Sequence, residues 1–140
     1  MSDQLTAIAD RIELTELINR EAFWLDEDST EGAEAFFTED VVARTPGGQA
    51  EGPAALGALA HRSHSKYART HHVPAGLAID LDGDTAEARF SALIVFTRHD
   101  GQVLVRTARY RVEARRTDAG WRLSRLETTP SAGTAPLPGD

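Results

Sequence analysis

A chain of 140 residues with 41% hydrophobic and 26% charged side chains is sized and composed for one soluble globular domain with a real core. Its formal net charge of -7 argues against nucleic acid or an anionic membrane as partner, because both select clustered Lys and Arg. The absence of cysteine excludes disulfides, thiol catalysis and thiolate zinc sites, and it fits a reducing cytoplasm. The opening stretch MSDQLTAIADRIEL is charged throughout, unlike a signal peptide, and no apolar run is long enough to span a bilayer.

Ser2 or Asp3 can cap a helix whose apolar positions Leu5, Ile8, Ile12, Leu17, Ile18, Ala22 and Leu25 recur at helical spacing, with a kink expected near Asp10. The acidic end LDEDSTEG opposes the helix dipole, and Ser29 to Gly32 reads as a turn into a short helix carrying Ala33, Phe36 and Phe37. Val41 to Arg44 fits a short strand, broken by Pro46-Gly47-Gly48. Gly52-Pro53 then opens another helix, with Leu56, Leu59 and Ala60 on its buried side.

Beyond Tyr67 the pattern becomes extended. Residues 70 to 81 form a first long strand, and Asp82-Gly83-Asp84 signals a hairpin. Ala86 to Arg98 follows, with Ala88, Phe90, Ala92, Ile94 and Phe96 on one face and Leu93 and Val95 on the other, as a strand covered on both sides would have. After Asp100-Gly101, Val103 to Arg116 places Arg106, Ala108, Tyr110, Val112 and Ala114 on one face and charged residues on the other. Trp121 to Thr129 is the last strand, and the Pro- and small-residue-rich 130–140 reads as a disordered tail, leaving one domain over 1–129. Helices first and antiparallel hairpins afterwards define an α+β domain, with a pocket between its layers.

The chemistry-bearing stretch is Thr70-His71-His72-Val73, where strand alternation lets only one of the two histidines face inward. Neutral imidazole suits proton transfer, and a carboxylate on one ring nitrogen fixes its tautomer. His61 and His64 share a helix face, but no third ligand accompanies them, so a solvated face and no metal are expected; Tyr67 is most simply a surface residue.

The order and spacing of several short pieces, spread over roughly residues 5 to 129, resemble the SnoaL-like branch of the NTF2-like superfamily, which includes scytalone dehydratase. The pieces are Ala9-Asp10-Arg11-Ile12, Leu25-Asp26, Phe36-Phe37-Thr38-Glu39-Asp40-Val41, Gly52-Pro53, Arg69-Thr70-His71-His72, Asp82-Gly83-Asp84-Thr85-Ala86 and Gly120-Trp121. The resemblance implies a cone-shaped barrel in which amino-terminal helices pack on a curved, mostly antiparallel sheet, a homodimer through the outer sheet, and a cofactor-free pocket. It also implies that His72 acts as acid and base and that Asp26 holds it; His71 is read as outward or at the rim, where it is a candidate for substrate contact. Arg106, Tyr110, Trp24, Phe90 and Phe96 are the further candidates for substrate contact; Arg106 could equally pair with Glu127 or Asp26. The chain departs from the dehydratase at Leu25, where the family has a tyrosine, at Phe96 in place of a second pocket histidine, and at Tyr110 near a pocket asparagine. No Asp or Glu between Gln102 and Val112 supplies the carboxylate of the aldol cyclases, and Arg98-His99-Asp100, which has the look of the epoxide hydrolase set, falls on a turn.

The expectation is a cytoplasmic, cofactor-independent cyclase, isomerase or dehydratase for a small, apolar, oxygenated metabolite of polyketide or terpenoid type. A non-catalytic ligand-binding or dimerisation module, and the small subunit of a ring-hydroxylating dioxygenase, are the alternatives the fold class leaves open.

Overall fold

The computed structural model describes residues 2–27 and 29–134. The first helix, α1, runs unbroken over Asp3–Leu25, with the Ser2 hydroxyl accepting the Leu5 backbone N–H at its start. A single 3-10 turn at Ala33–Ala35 leads into β1 (Phe37–Thr45), which hairpins into β2 (Gly48–Glu51). Pro53 opens α2 (Pro53–His64), and four long strands follow: β3 (Arg69–Asp82), β4 (Thr85–Thr97), β5 (Val103–Thr117) and β6 (Gly120–Gly133).

The six strands form one sheet in the order β2-β1-β6-β5-β4-β3. Among the described residues only β1 and β6 run parallel; the other neighbours are antiparallel. The architecture is therefore the expected α+β one, two helices against a six-stranded, mostly antiparallel sheet. The centre of the core is made by Leu14 and Ile18 of α1 against Val41, Val112, Trp121 and Leu123 of the sheet, all of them essentially inaccessible to solvent.

Local details differ from the sequence expectations for identifiable reasons. Leu5, Ile8 and Ile12 are exposed, because the buried stripe of α1 is the face bearing Asp10, Leu14, Leu17, Ile18, Glu21 and Ala22. Asp10 is no kink. Both of its carboxylate oxygens receive Arg116 guanidinium hydrogen bonds at 2.8 Å, and Oδ1 also accepts the Trp121 indole N–H at 3.0 Å. The first strand begins at Phe37 instead of Val41, so the helix expected there shrinks to one turn, and Pro46-Gly47 serves as a hairpin turn instead of a break. The last strand continues past Thr129: Pro130, Ala132 and Gly133 pair with Ala108, Thr107 and Arg106. Proline is tolerated there beside a shift of register. The remainder of the expected tail, 135–140, lies outside the described residues.

Candidate active site

A cavity of about 220 Å³ lies between the two helices and the inner face of the sheet. Strand alternation puts His72 into it and His71 on the exposed side, in register with Ile94 and Val95 of β4 respectively. The other end of the constellation is the C-terminus of α1. Asp26 caps that helix, its backbone N–H donating to the Phe23 carbonyl at 3.1 Å, which leaves its side chain projecting toward the start of β3.

The Asp26 carboxylate takes three hydrogen bonds from β3. Oδ1 lies 2.6 Å from His72 Nδ1 and accepts the Thr70 hydroxyl at 3.0 Å, while Oδ2 accepts the His72 backbone N–H at 2.8 Å. The side chains of His72 and Asp26 are only 4% and 17% exposed, so the pair is held with little competition from water. Burial pushes the Asp26 pKa up, but the hydrogen bonds from the His72 ring and backbone and from Thr70 outweigh it, and Asp26 stays below the usual carboxylate value. An ionised acceptor places the imidazole proton on Nδ1 and leaves the Nε2 lone pair as the base.

Of the other sequence candidates, Arg106, Tyr110 and Phe96 line the cavity. Glu127, offered as a partner for Arg106, is taken by Arg125 at 2.8 Å. Tyr110 stacks on Phe90 with ring centroids 4.9 Å apart and planes at 10°; burial, then the nearby Glu21 carboxyl, push its hydroxyl well above the ordinary phenol value. Phe90 itself supports Tyr110 from behind and is not part of the lining. Trp24 is also elsewhere, packed on Phe36 and Phe37 with its indole N–H on the Glu31 carbonyl. Arg98-His99-Asp100 forms the β4–β5 turn, away from the cavity.

Tyr67, His64 and Glu21 also line the cavity, outside the sequence candidates. Tyr67 is buried against Phe96, ring centroids 4.7 Å apart, instead of lying on the surface. His64, at the last turn of α2, is turned inward with its ring centroid 5.0 Å from that of His72, whereas His61 is exposed. Burial first, then the neighbouring His72, depress the His64 pKa to about 4 against the opposing pull of the Asp26 carboxylate and the Leu25 backbone, so this imidazole is neutral near pH 7. Glu21, one turn before Leu25, is 4% exposed and lines the same space. Burial, then the charge of Asp26, push its pKa up to about 8, so it carries its proton at neutral pH. Its signal in the sequence was a carboxyl at the stripe position that continues Leu14, Leu17 and Ile18, where an apolar residue is expected.

Among the described residues no group of three or more His, Cys, Asp or Glu side chains is disposed to hold a metal, and no helix is long and apolar enough to cross a membrane. What the cavity offers is a fixed base, a neutral second imidazole, a protonated carboxyl and a phenol within apolar walls. That set suits proton transfer on a small organic molecule.

Comparison with known proteins bears on the family and the fold. A family model described as a SnoaL-like domain matches residues 6–127. No protein of curated function matches the sequence significantly. Among solved structures, an NTF2-like protein with a cystatin-like fold from Novosphingobium aromaticivorans is 30% identical, with a TM-score of 0.78 over 89% of this chain and 84% of that one. A hexachlorocyclohexane dehydrochlorinase, LinA type 2, superposes with a TM-score of 0.86 at 20% identity, covering 97% and 95% of the two chains. A protein described as a candidate scytalone dehydratase from Novosphingobium aromaticivorans does so with a TM-score of 0.83 at 19% identity, covering 94% and 90%. At those identities the last two speak to fold alone.

Proposed function

The chain belongs to the SnoaL-like domain family of the NTF2-like superfamily, and from that premise we propose that it is a cofactor-independent acid–base enzyme, a cyclase, isomerase or dehydratase acting on a small apolar oxygenated metabolite. The observation that carries the proposal is the Asp26 carboxylate bound simultaneously to the ring and the backbone of His72, at 2.6 and 2.8 Å, inside a cavity sized for a small molecule. A histidine needed only for packing has no use for an ionised partner on one ring nitrogen.

In the proposed reaction His72 Nε2 removes a proton from an activated carbon of the substrate. Asp26 holds the ring and stabilises the imidazolium that forms, and Thr70 holds Asp26. The imidazolium then returns the proton to an oxygen leaving group or to another carbon, giving elimination or isomerisation; the same step on a chain bearing a second carbonyl gives ring closure. Arg106 and Tyr110 line the cavity as groups able to polarise a substrate oxygen, and Phe96 and Tyr67 form apolar walls. A polyketide or terpenoid origin of the substrate belongs to the same proposal. So does a homodimer through the outer face of the sheet, where the paired Val73 and Leu93 are exposed.

The test is a panel of small cyclic and aryl β-hydroxy ketones, followed by the rise of enone absorbance. Wild-type protein is expected to dehydrate at least one of them, and His72→Ala and Asp26→Asn, both folded by circular dichroism, to lose that activity. Turnover unchanged in both variants would overturn the proposal and leave a ligand-binding module.

A further inference from the structure

Glu21 is difficult to explain as a structural residue. It occupies the core-facing stripe of α1, shares a helix face with Leu25 one turn later, and lines the cavity with it. Its side chain is almost wholly buried, yet among the described residues it makes no hydrogen bond and no ion pair. A buried carboxyl without a partner is a net cost to the fold, charged or neutral. A leucine at this position would extend the apolar stripe of Leu14, Leu17 and Ile18 and remove that cost. The carboxyl's use must therefore lie with what enters the cavity.

Burial and the neighbouring Asp26 charge keep it protonated at neutral pH, so it presents an O–H donor for which the described residues supply no acceptor. The rest of the lining combines aliphatic and aromatic surface, such as Leu25, Leu56, Leu59, Ile94 and Phe96, with the polar groups of His64, His72, Arg106 and Tyr110. A ligand that completes the site supplies an oxygen acceptor to Glu21 and apolar surface to the rest.

We propose that Glu21 is a ligand-binding residue that donates its O–H to a carbonyl oxygen, and that the molecules taken by this cavity are small apolar ketones. The inference rests on the acid–base reading and deepens it. When His72 Nε2 takes a proton from the carbon beside that carbonyl, the C–H bond breaks and an N–H bond forms. The electron pair moves onto the carbonyl oxygen as an enolate, and the Glu21 O–H already points at that oxygen. Such a donor strengthens as charge develops on its acceptor, which is the arrangement that lowers the barrier to enolisation.

The experiment needs no turnover. 1-Tetralone and its deoxygenated analogue tetralin, matched in shape, are titrated into wild-type, Glu21→Leu, Glu21→Gln and His72→Ala proteins by ligand-observed NMR, after thermal melts establish that each is folded. Wild type is expected to prefer the ketone by about tenfold, as one hydrogen bond in a dry site supplies. The preference disappears in Glu21→Leu, survives in part in Glu21→Gln, whose amide can still donate, and is intact in His72→Ala. The wild-type minus Glu21→Gln infrared difference spectrum at pH 7 is expected to hold a carboxylic acid C=O band that shifts with tetralone and not with tetralin. A preference that persists in folded Glu21→Leu, equal affinity for the two probes, no binding of either, or no acid band overturns the inference. Because binding and not chemistry is read, a failure of His72 as the base would show in turnover while leaving these outcomes unchanged.

Discussion

The protonated Glu21 makes a demand on stability that can be worked from the structure. In the unfolded chain its carboxyl has the ordinary value of 4.5, and in the folded protein burial and Asp26 raise it to about 8. Between those values the native state holds a proton that the unfolded state has released, so stability falls as pH rises. Below about 4.5 both states are protonated and nothing is lost; above about 8 the whole cost is felt. At about 1.4 kcal/mol for each pH unit, the gap corresponds to roughly 5 kcal/mol. Water drawn into the cavity around a newly ionised carboxylate reduces it, so the expected loss is on the order of 2 to 5 kcal/mol. His64 acts oppositely and lower: its folded value of about 4 against an ordinary 6.5 makes stability rise over that interval, which leaves the range from about 6.5 to 8 to Glu21. Urea titrations of wild-type and Glu21→Gln proteins at pH 5, 7 and 9 separate the two, since the variant keeps the His64 slope and drops the other. A wild-type curve parallel to that of Glu21→Gln between pH 7 and 9 would refute the assignment of Glu21 as a buried neutral acid.

Three other outcomes follow from the geometry. Asp10→Ala removes a carboxylate that accepts from Arg116 at two points and from the Trp121 indole N–H, and it should cost about 1 to 3 kcal/mol in urea unfolding, because it orphans the buried indole donor. Gly57→Ala places a methyl group 2.7 Å from the Thr30 carbonyl oxygen, a backbone atom that cannot easily yield, and should lower stability by about 1 to 3 kcal/mol in the same assay. Asp26→Asn takes away the ionised acceptor of His72 Nδ1, so the downfield Nδ1–H proton resonance should vanish and any turnover should fall by about 10²–10⁴-fold, with the fold retained.

The His72–Asp26 contact spans 46 positions of sequence, and no periodicity joins the two residues. What was legible was local: alternation on β3 allowed one inward histidine, and the end of the first helix was marked by its acidic run. Resemblance to a family supplied the pairing, and the 2.6 Å contact is where the structure puts it. The α+β order and the three hairpins after residue 70 were readable from period-two patterns and Asp-Gly or Ala-Gly turns. The apolar Leu93 and Val95 misled: β4 is not the central, doubly covered strand they suggest, because it lies beside the edge strand β3 with its outer face, Leu93 included, open. Helix faces were read less well. Leu5, Ile8 and Ile12 satisfy helical spacing, but burial follows the face that meets Trp121 and Val41, and that face admits Asp10 because Arg116 neutralises it from 106 positions away. Glu21 and His64 were hidden by the same logic. A charged residue on a stripe reads as a boundary of that stripe until the cavity beneath it is seen, and two histidines on a helix read as a wet face until α2 is docked.

The central claim is that His72 removes a proton from carbon inside this cavity. Deuterium incorporation beside the carbonyl of 1-tetralone in D₂O, followed by proton NMR, tests it most directly, because exchange needs a base and no later step. Wild-type protein is expected to exchange this position faster than buffer alone, with His72→Ala reduced to the buffer rate. Exchange that is equally fast in His72→Ala, or no faster than buffer with wild type, would contradict it.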